Sequence, residues 1–272
     1  VKIQVGEWPG AGAPILCLHG LTANLICYEI IADALKGTHR VLAMDLRGRG
    51  LSDKPETGYS LETHCRDIKA VLKDLGLAKI TLMGHSLGAY ICLAFAASYP
   101  ELTERIILLD GGAELSAEQW VKVGAGINPS VERLGKVLPS IEAYLDLARQ
   151  APFFKPWNQA IEDYYRYDAH EVPGGVCSRI SPSSIAEERK NLSQVKPSEF
   201  YPLVKCSVLM VQAKKGMLAH DDLVLPDDGL QRMLEAMPQA RHVILPGIHH
   251  FSMVFQPSRE RDQAILEFMK ST

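Results

Sequence analysis

The chain has 272 residues, of which 47% are hydrophobic and 22% charged, with a formal net charge of −3. Such a length suits one large domain, or a core with a substantial insertion, and buries a sizeable core. The near-neutral charge and the want of a basic run exclude a broad nucleic-acid footprint, and no run of about 18 apolar residues reads as a membrane span.

The predicted elements begin with "ILCL" at Ile15–Leu18, "RVLAMD" at Arg40–Asp45, "ITLMG" at Ile80–Gly84 and "RIILLD" at Arg105–Asp110. Their near-continuous apolar character predicts central strands of a parallel sheet covered on both faces. Between them, Ser60 is placed to cap a helix whose Ile68, Val71, Leu72 and Leu75 recur at three- and four-residue spacing before Gly76. A second, apolar helix is predicted from about Leu87 to Ser98, ending near Pro100. From Ser116 to Pro202 strand signal fades into short helical pieces, broken at Pro129, Pro139, Pro152, Pro156, Pro173 and Pro182. Strands resume with "SVLMVQ" at Ser207–Gln212 and "RHVILPG" at Arg241–Gly247, separated by a helix face of Leu230, Met233, Leu234 and Met237. A last helix begins near Pro257 and docks Ile265, Leu266 and Met269. The pattern predicts a doubly wound α/β fold, its core in residues 1–115 and 203–272 and a helical cap in 116–202.

The six cysteines form no close Cys-x-x-Cys pair, and Cys17, Cys92 and Cys206 lie in apolar runs. The N-terminus lacks the basic-then-apolar pattern of a signal peptide. Both features point to a reduced, cytoplasmic setting. No His, Cys, Asp and Glu spacing reads as a zinc site, so neither metal nor cofactor is expected.

The strongest local signal is "GHSLG" at Gly84–Gly88, a G-x-S-x-G pattern between a predicted strand and a predicted helix. A serine on such a turn has strained backbone and an exposed hydroxyl, and the helix N-terminus behind it favours developing negative charge. With "LHGLTAN" at Leu18–Asn24 and "DLRGRGLSD" at Asp45–Asp53, the chain resembles the α/β-hydrolase superfamily over nearly its whole length, in its serine-nucleophile, esterase-like branch with a helical cap. The resemblance implies Ser86 as nucleophile, the backbone N–H groups of Leu21 and Leu87 as oxyanion hole, and a structural role for Arg47 and Asp53. His19 and His85 then lie beside the site as orienting residues.

For the general base, "PGIHHFSM" at Pro246–Met253 offers His249 and His250, and the family's Gly-x-x-His-Phe pattern selects His250. For the acid, "LMVQAKKG" puts Gly216 where the family usually has aspartate. Two sources remain. Asp110 ends the preceding strand, on the edge where open α/β sheets gather their ligands, and resembles the dehalogenase-like arrangement. Asp221 and Asp222 return to the site if their loop folds back; Glu114 is a minor candidate. The expected reaction is hydrolysis of a carboxylic ester or lactone through an acyl-enzyme. Trp120, Phe153, Phe154, Trp157, Tyr164 and Tyr165 are candidate walls for an apolar or aromatic small-molecule substrate. An amidase, a carbon–carbon bond hydrolase and a non-catalytic ligand receptor are the alternatives.

Overall fold

The computed structural model describes residues 1–270. The first half builds β1 (Val5–Trp8), β2 (Ile15–Leu18), α1 (Glu29–Leu35), β3 (Val41–Met44), α2 (Leu61–Asp74), β4 (Ile80–His85), α3 (Leu87–Ser98) and β5 (Thr103–Leu109). Next come α4 (Ala117–Glu132), α5 (Ile141–Arg149), α6 (Gln159–Asp168), the hairpin β6 (Ala169–Val172) and β7 (Gly175–Ser178), and α7 (Pro182–Leu192). The chain then returns through β8 (Ser207–Lys215), α8 (Asp227–Ala236), β9 (Ala240–His249), α9 (Ser252–Phe255) and α10 (Arg259–Lys270).

Among the described residues, seven strands form one sheet in the order β1-β3-β2-β4-β5-β8-β9, parallel except for β1. Every residue of β2, β3 and β4 is buried, as expected of strands covered on both faces. Helix α3 packs across them and buries Leu87 to Ala96 on all sides, which is why its sequence shows no polar face. Helix α2 is amphipathic and begins where the Ser60 side chain accepts the Thr63 N–H. Because β2, β4, β5, β8 and β9 run the same way, the loops that follow them emerge on one edge. The helix-rich segment from α4 to α7 sits between β5 and β8 in the chain.

Three features depart from the sequence reading. Strand β1 was unexpected: it is half-buried and carries Gly6, so it shows neither a continuous nor an alternating apolar pattern. The cap contains the small hairpin β6–β7, whose turn is Pro173 and Gly174 and whose short, mixed strands give weak periodicity. Pro129 breaks nothing, since α4 runs through it to Glu132. The helix packs over that stretch, where Gly126 lies against Met217 and Asp222, and packing there overrides the proline's local preference.

Candidate active site

The turn after β4 holds Ser86 at φ 55° and ψ −118°, a conformation that non-glycine residues rarely adopt. Neighbouring glycines make the turn possible. A Cβ on Gly88 would clash with the Leu18 carbonyl of β2, and one on Gly84 with the backbone of Gly88. The Ser86 N–H donates to the Leu109 carbonyl at 3.1 Å, tying the turn to β5. Leu87 is the first residue of α3, so its N–H is among those that a helix leaves without an internal partner. Its side chain is buried in the core, so only its backbone bears on the site.

One residue past β5, Asp110 is also in the left-handed region, at φ 47°, and is 2% exposed. Its Oδ2 lies 2.7 Å from His250 Nδ1, and its Oδ1 accepts the Ala213 N–H at 3.1 Å. The strand end that usually bears the acid therefore contributes a backbone donor instead. His250 follows β9 and is 4% exposed. Because Asp110 takes its Nδ1, Nε2 is the nitrogen left for chemistry.

The other candidate acids are engaged elsewhere. Both oxygens of Asp222 accept N–H groups of its own loop, from Met217 (2.6 Å), Leu218 (2.8 Å) and Ala219 (3.0 Å). Asp222 staples that loop, and Gly216 is glycine because a Cβ there would run into the Ala219 carbonyl and Asp222. Asp221 pairs with Lys122 at 2.9 Å, and Glu114 accepts the Ser198 hydroxyl. His249 is likewise occupied: its Nδ1 accepts the Ser252 N–H at 3.3 Å. Burial, with His250 beside it, lowers its pKa to about 4.

Two more histidines fix the surroundings. His85 Nε2 donates to the His250 carbonyl at 3.0 Å, and the two rings lie 4.5 Å apart between centroids. That bond assigns the proton to Nε2, and burial holds the His85 pKa well below its ordinary value. His19 Nε2 accepts the Leu46 N–H at 3.0 Å, so its Nδ1 is the donor to the Gly20 carbonyl at 2.8 Å. Burial pushes its pKa down to about 3.

The loop after β2 is held by its carbonyls. Gly20 O takes His19, Leu21 O accepts Arg49 Nε at 3.1 Å, and Thr22 O accepts Arg133 Nη2 (2.9 Å) and the Tyr164 hydroxyl (3.0 Å). In a trans peptide the N–H points opposite the preceding C=O, so anchoring the Gly20 carbonyl turns the Leu21 N–H the other way. Arg49 is fully buried; its Nη1 lies 3.1 Å from Glu188 on α7, and Glu188 lies 2.8 Å from His64 Nε2. Burial disfavours the Glu188 charge, but His64 and Arg49 outweigh it and bring its pKa down to about 2.

A depressed carboxyl pKa stabilises the fold above the unfolded-state value and loses that contribution as pH falls toward the folded value. Replacing Glu188 by Gln, which leaves Arg49 buried without its counter-charge, is expected to cost about 3 kcal/mol at pH 7. The gap between the two proteins should narrow between about pH 4.5 and pH 2. Urea denaturation at pH 7 and pH 3 measures both; an equal gap at the two pH values would contradict the assignment.

Ser86, His85 and His250 line one small cavity of about 50 Å³ with Gly20 to Ala23 and Phe154, Tyr164, Tyr165, Phe251 and Phe255. Of the six aromatics expected as walls, Phe154, Tyr164 and Tyr165 are there. Phe153 lines a neighbouring cavity of about 220 Å³, and Trp120 another of about 440 Å³. Trp157 stacks on Tyr165 instead, with centroids 6.0 Å apart. Arg47 makes a buried bidentate pair with Asp67 at 2.6 and 2.7 Å, and Asp53 accepts the Lys2 N–H. The sequence reading overlooked Arg49, Arg133 and Glu188. Nothing local marks them, because their partners lie far along the chain. No helix among the described residues is long and apolar enough to cross a membrane.

Residues 13–133 match a family model described as alpha/beta hydrolase fold. The chain is 29% identical over 252 residues to the 2-(acetamidomethylene)succinate hydrolase of Mesorhizobium japonicum, covering 92% of this chain and 86% of that one. It is 35% identical over 270 residues to an uncharacterized protein of Mycobacterium bovis, covering 97% of this chain and 77% of the other. The crystal structure of E-2-(acetamidomethylene)succinate hydrolase superposes with a TM-score of 0.86 at 27% identity, over 99% of this chain and 95% of that one. The chain belongs to the α/β-hydrolase superfamily, with a helix-rich cap inserted in its sheet.

Proposed function

We propose that this protein is a serine hydrolase that removes a small acyl group from an amide, through an acyl-enzyme on Ser86. The observation that carries the proposal is the 2.7 Å contact between His250 Nδ1 and Asp110 Oδ2, in a buried pocket shared with Ser86. Asp110 holds the imidazole in one tautomer and stabilises its cation. His250 takes the hydroxyl proton of Ser86 through Nε2 as the oxygen attacks the carbonyl. The N–H groups of Leu21 and Leu87 receive the oxyanion. His250 then gives the proton to the leaving nitrogen, and the same sequence with water as nucleophile frees the acid.

Amide rather than ester is favoured by the similarity, over nearly the whole chain, to a hydrolase named for an acetamido compound. A cavity of about 50 Å³ beside Ser86 suits an acyl group as small as acetyl. Ester or lactone cleavage is the second reading, supported by the apolar wall of Phe154, Phe251, Val254 and Phe255.

A fluorophosphonate is expected to label Ser86 stoichiometrically, located by peptide mass spectrometry. Matched N-acetyl amides and acetyl esters should then both release acetate. Turnover of esters alone would move the assignment to the second reading. Labelling without turnover of either would make the protein a ligand receptor.

A further inference from the structure

The cap residue Arg133, one position past α4, is 6% exposed and forms part of the wall around Ser86 and His250. Among the residues lining that cavity it is the one with a permanent charge. It also lines the adjoining 220 Å³ cavity, together with Ser130 and Tyr165, so it stands where the two spaces meet.

Its guanidinium is fastened at one end. Nη1 lies 3.1 Å from Asp168 Oδ2 and donates to Ser178 Oγ at 3.2 Å; Nη2 donates to the Thr22 carbonyl at 2.9 Å. Asp168 is itself fully used, accepting the hydroxyls of Tyr144 and Ser178. The Nε–H is buried and makes no direct hydrogen bond, the guanidinium's remaining polar neighbour being the Tyr165 side chain. Leaving a charged donor unpaired is costly, and a buried ion pair stabilises a fold no better than apolar packing. Structural duty therefore accounts for the Nη atoms but not for Nε, nor for placing a cation in the wall of this pocket.

We infer that the Nε edge of Arg133 is a subsite for a carboxylate, so that the preferred substrates carry an anionic group beside the scissile acyl bond. The inference rests on Ser86 being the nucleophile of a hydrolase, and it narrows the substrate from acyl compounds in general to carboxylated ones. Guanidinium meets carboxylate through two roughly parallel N–H bonds, here Nε–H with the adjacent Nη2. Tyr165, whose ring lies 5.5 Å from the guanidinium carbon, backs the group and limits its movement.

Two substrate pairs differing in the carboxylate test this in the wild-type protein. They are 4-nitrophenyl hydrogen glutarate with 4-nitrophenyl pentanoate, and 3-acetoxybenzoate with its methyl ester. In at least one pair, kcat/KM for the charged member should exceed that of the neutral one by about tenfold or more. Arg133→Lys keeps the charge opposite Asp168 but loses the fork, and should reduce that ratio by about tenfold. Equal rates within both pairs, or a preference unchanged in folded Arg133→Lys, would overturn the inference.

A crystal of the Ser86→Ala protein soaked with glutarate does not depend on altering Arg133. A carboxylate oxygen within hydrogen-bond distance of Nε supports the subsite, and one seated elsewhere in the pocket overturns it. If glutarate sits on Nε while no ester or amide is turned over and no phosphonate labels Ser86, the hydrolase reading falls and the anion site stands. Turnover with no preference and no glutarate at Nε gives the reverse.

Discussion

Replacing Ser86 by alanine is expected to lower kcat by about 10⁴-fold or more, with the fold retained. The size follows from the chemistry: without Oγ no acyl-enzyme forms, and what remains is the contribution of binding and oxyanion donors. Glycine at the same position separates chemistry from stability. At φ 55° and ψ −118° a side chain costs about 1–3 kcal/mol of strain, against about 0.5–1 kcal/mol for the extra freedom of an unfolded glycine. Ser86→Gly should therefore be as inactive as Ser86→Ala yet melt at a higher temperature. Acetate release followed by coupled assay, and calorimetry on both variants, check the two halves. Undiminished turnover in Ser86→Ala would remove the nucleophile assignment.

The second large effect is expected at Asp110. In Asp110→Asn one end of the side chain must still face the Ala213 N–H and the other His250 Nδ1. If the amide oxygen accepts from Ala213, the NH₂ group faces Nδ1 and holds it unprotonated. The imidazole proton then sits on Nε2, which can no longer accept from Ser86. A rate loss of about 10⁴-fold follows, with little change in fold. Asp222→Asn is the contrasting variant. Its carboxylate accepts three backbone N–H groups, which an amide cannot do, so stability should fall by about 1–3 kcal/mol while kcat stays near wild type. Steady-state rates and urea unfolding on both proteins decide between them. A rate loss confined to Asp222→Asn would transfer the role of acid to that loop.

The parts of the fold that could be read from sequence are those whose chemistry is local. A buried parallel strand advertises itself as a short apolar run, and β2 and β4 do so, as does the strand–serine–helix turn at Ser86. The missing aspartate at Gly216 was also visible, but its reason was not. A Cβ on Gly216 would run into the Ala219 carbonyl and Asp222, a crowding made by loop closure. The pairing of Asp110 with His250 spans 140 residues and was one of two arrangements the chain left open. Arg49, Arg133 and Glu188 were invisible for the same reason. Each is an unremarkable charged residue until the cap folds onto the loop after β2.

The carbonyls of Leu21 and Thr22 are held by side chains from three separate stretches: Arg49 in the loop after β3, Arg133 at the end of α4, and Tyr164 on α6. The cap and the loop after β2 are in that sense one mechanical part. Exchanging the insertion for that of a relative, as one would to borrow a new specificity, removes two of the three fasteners along with the old pocket. A working chimera has to import their equivalents as a set, because the loop after β2 otherwise keeps only the Arg49 contact.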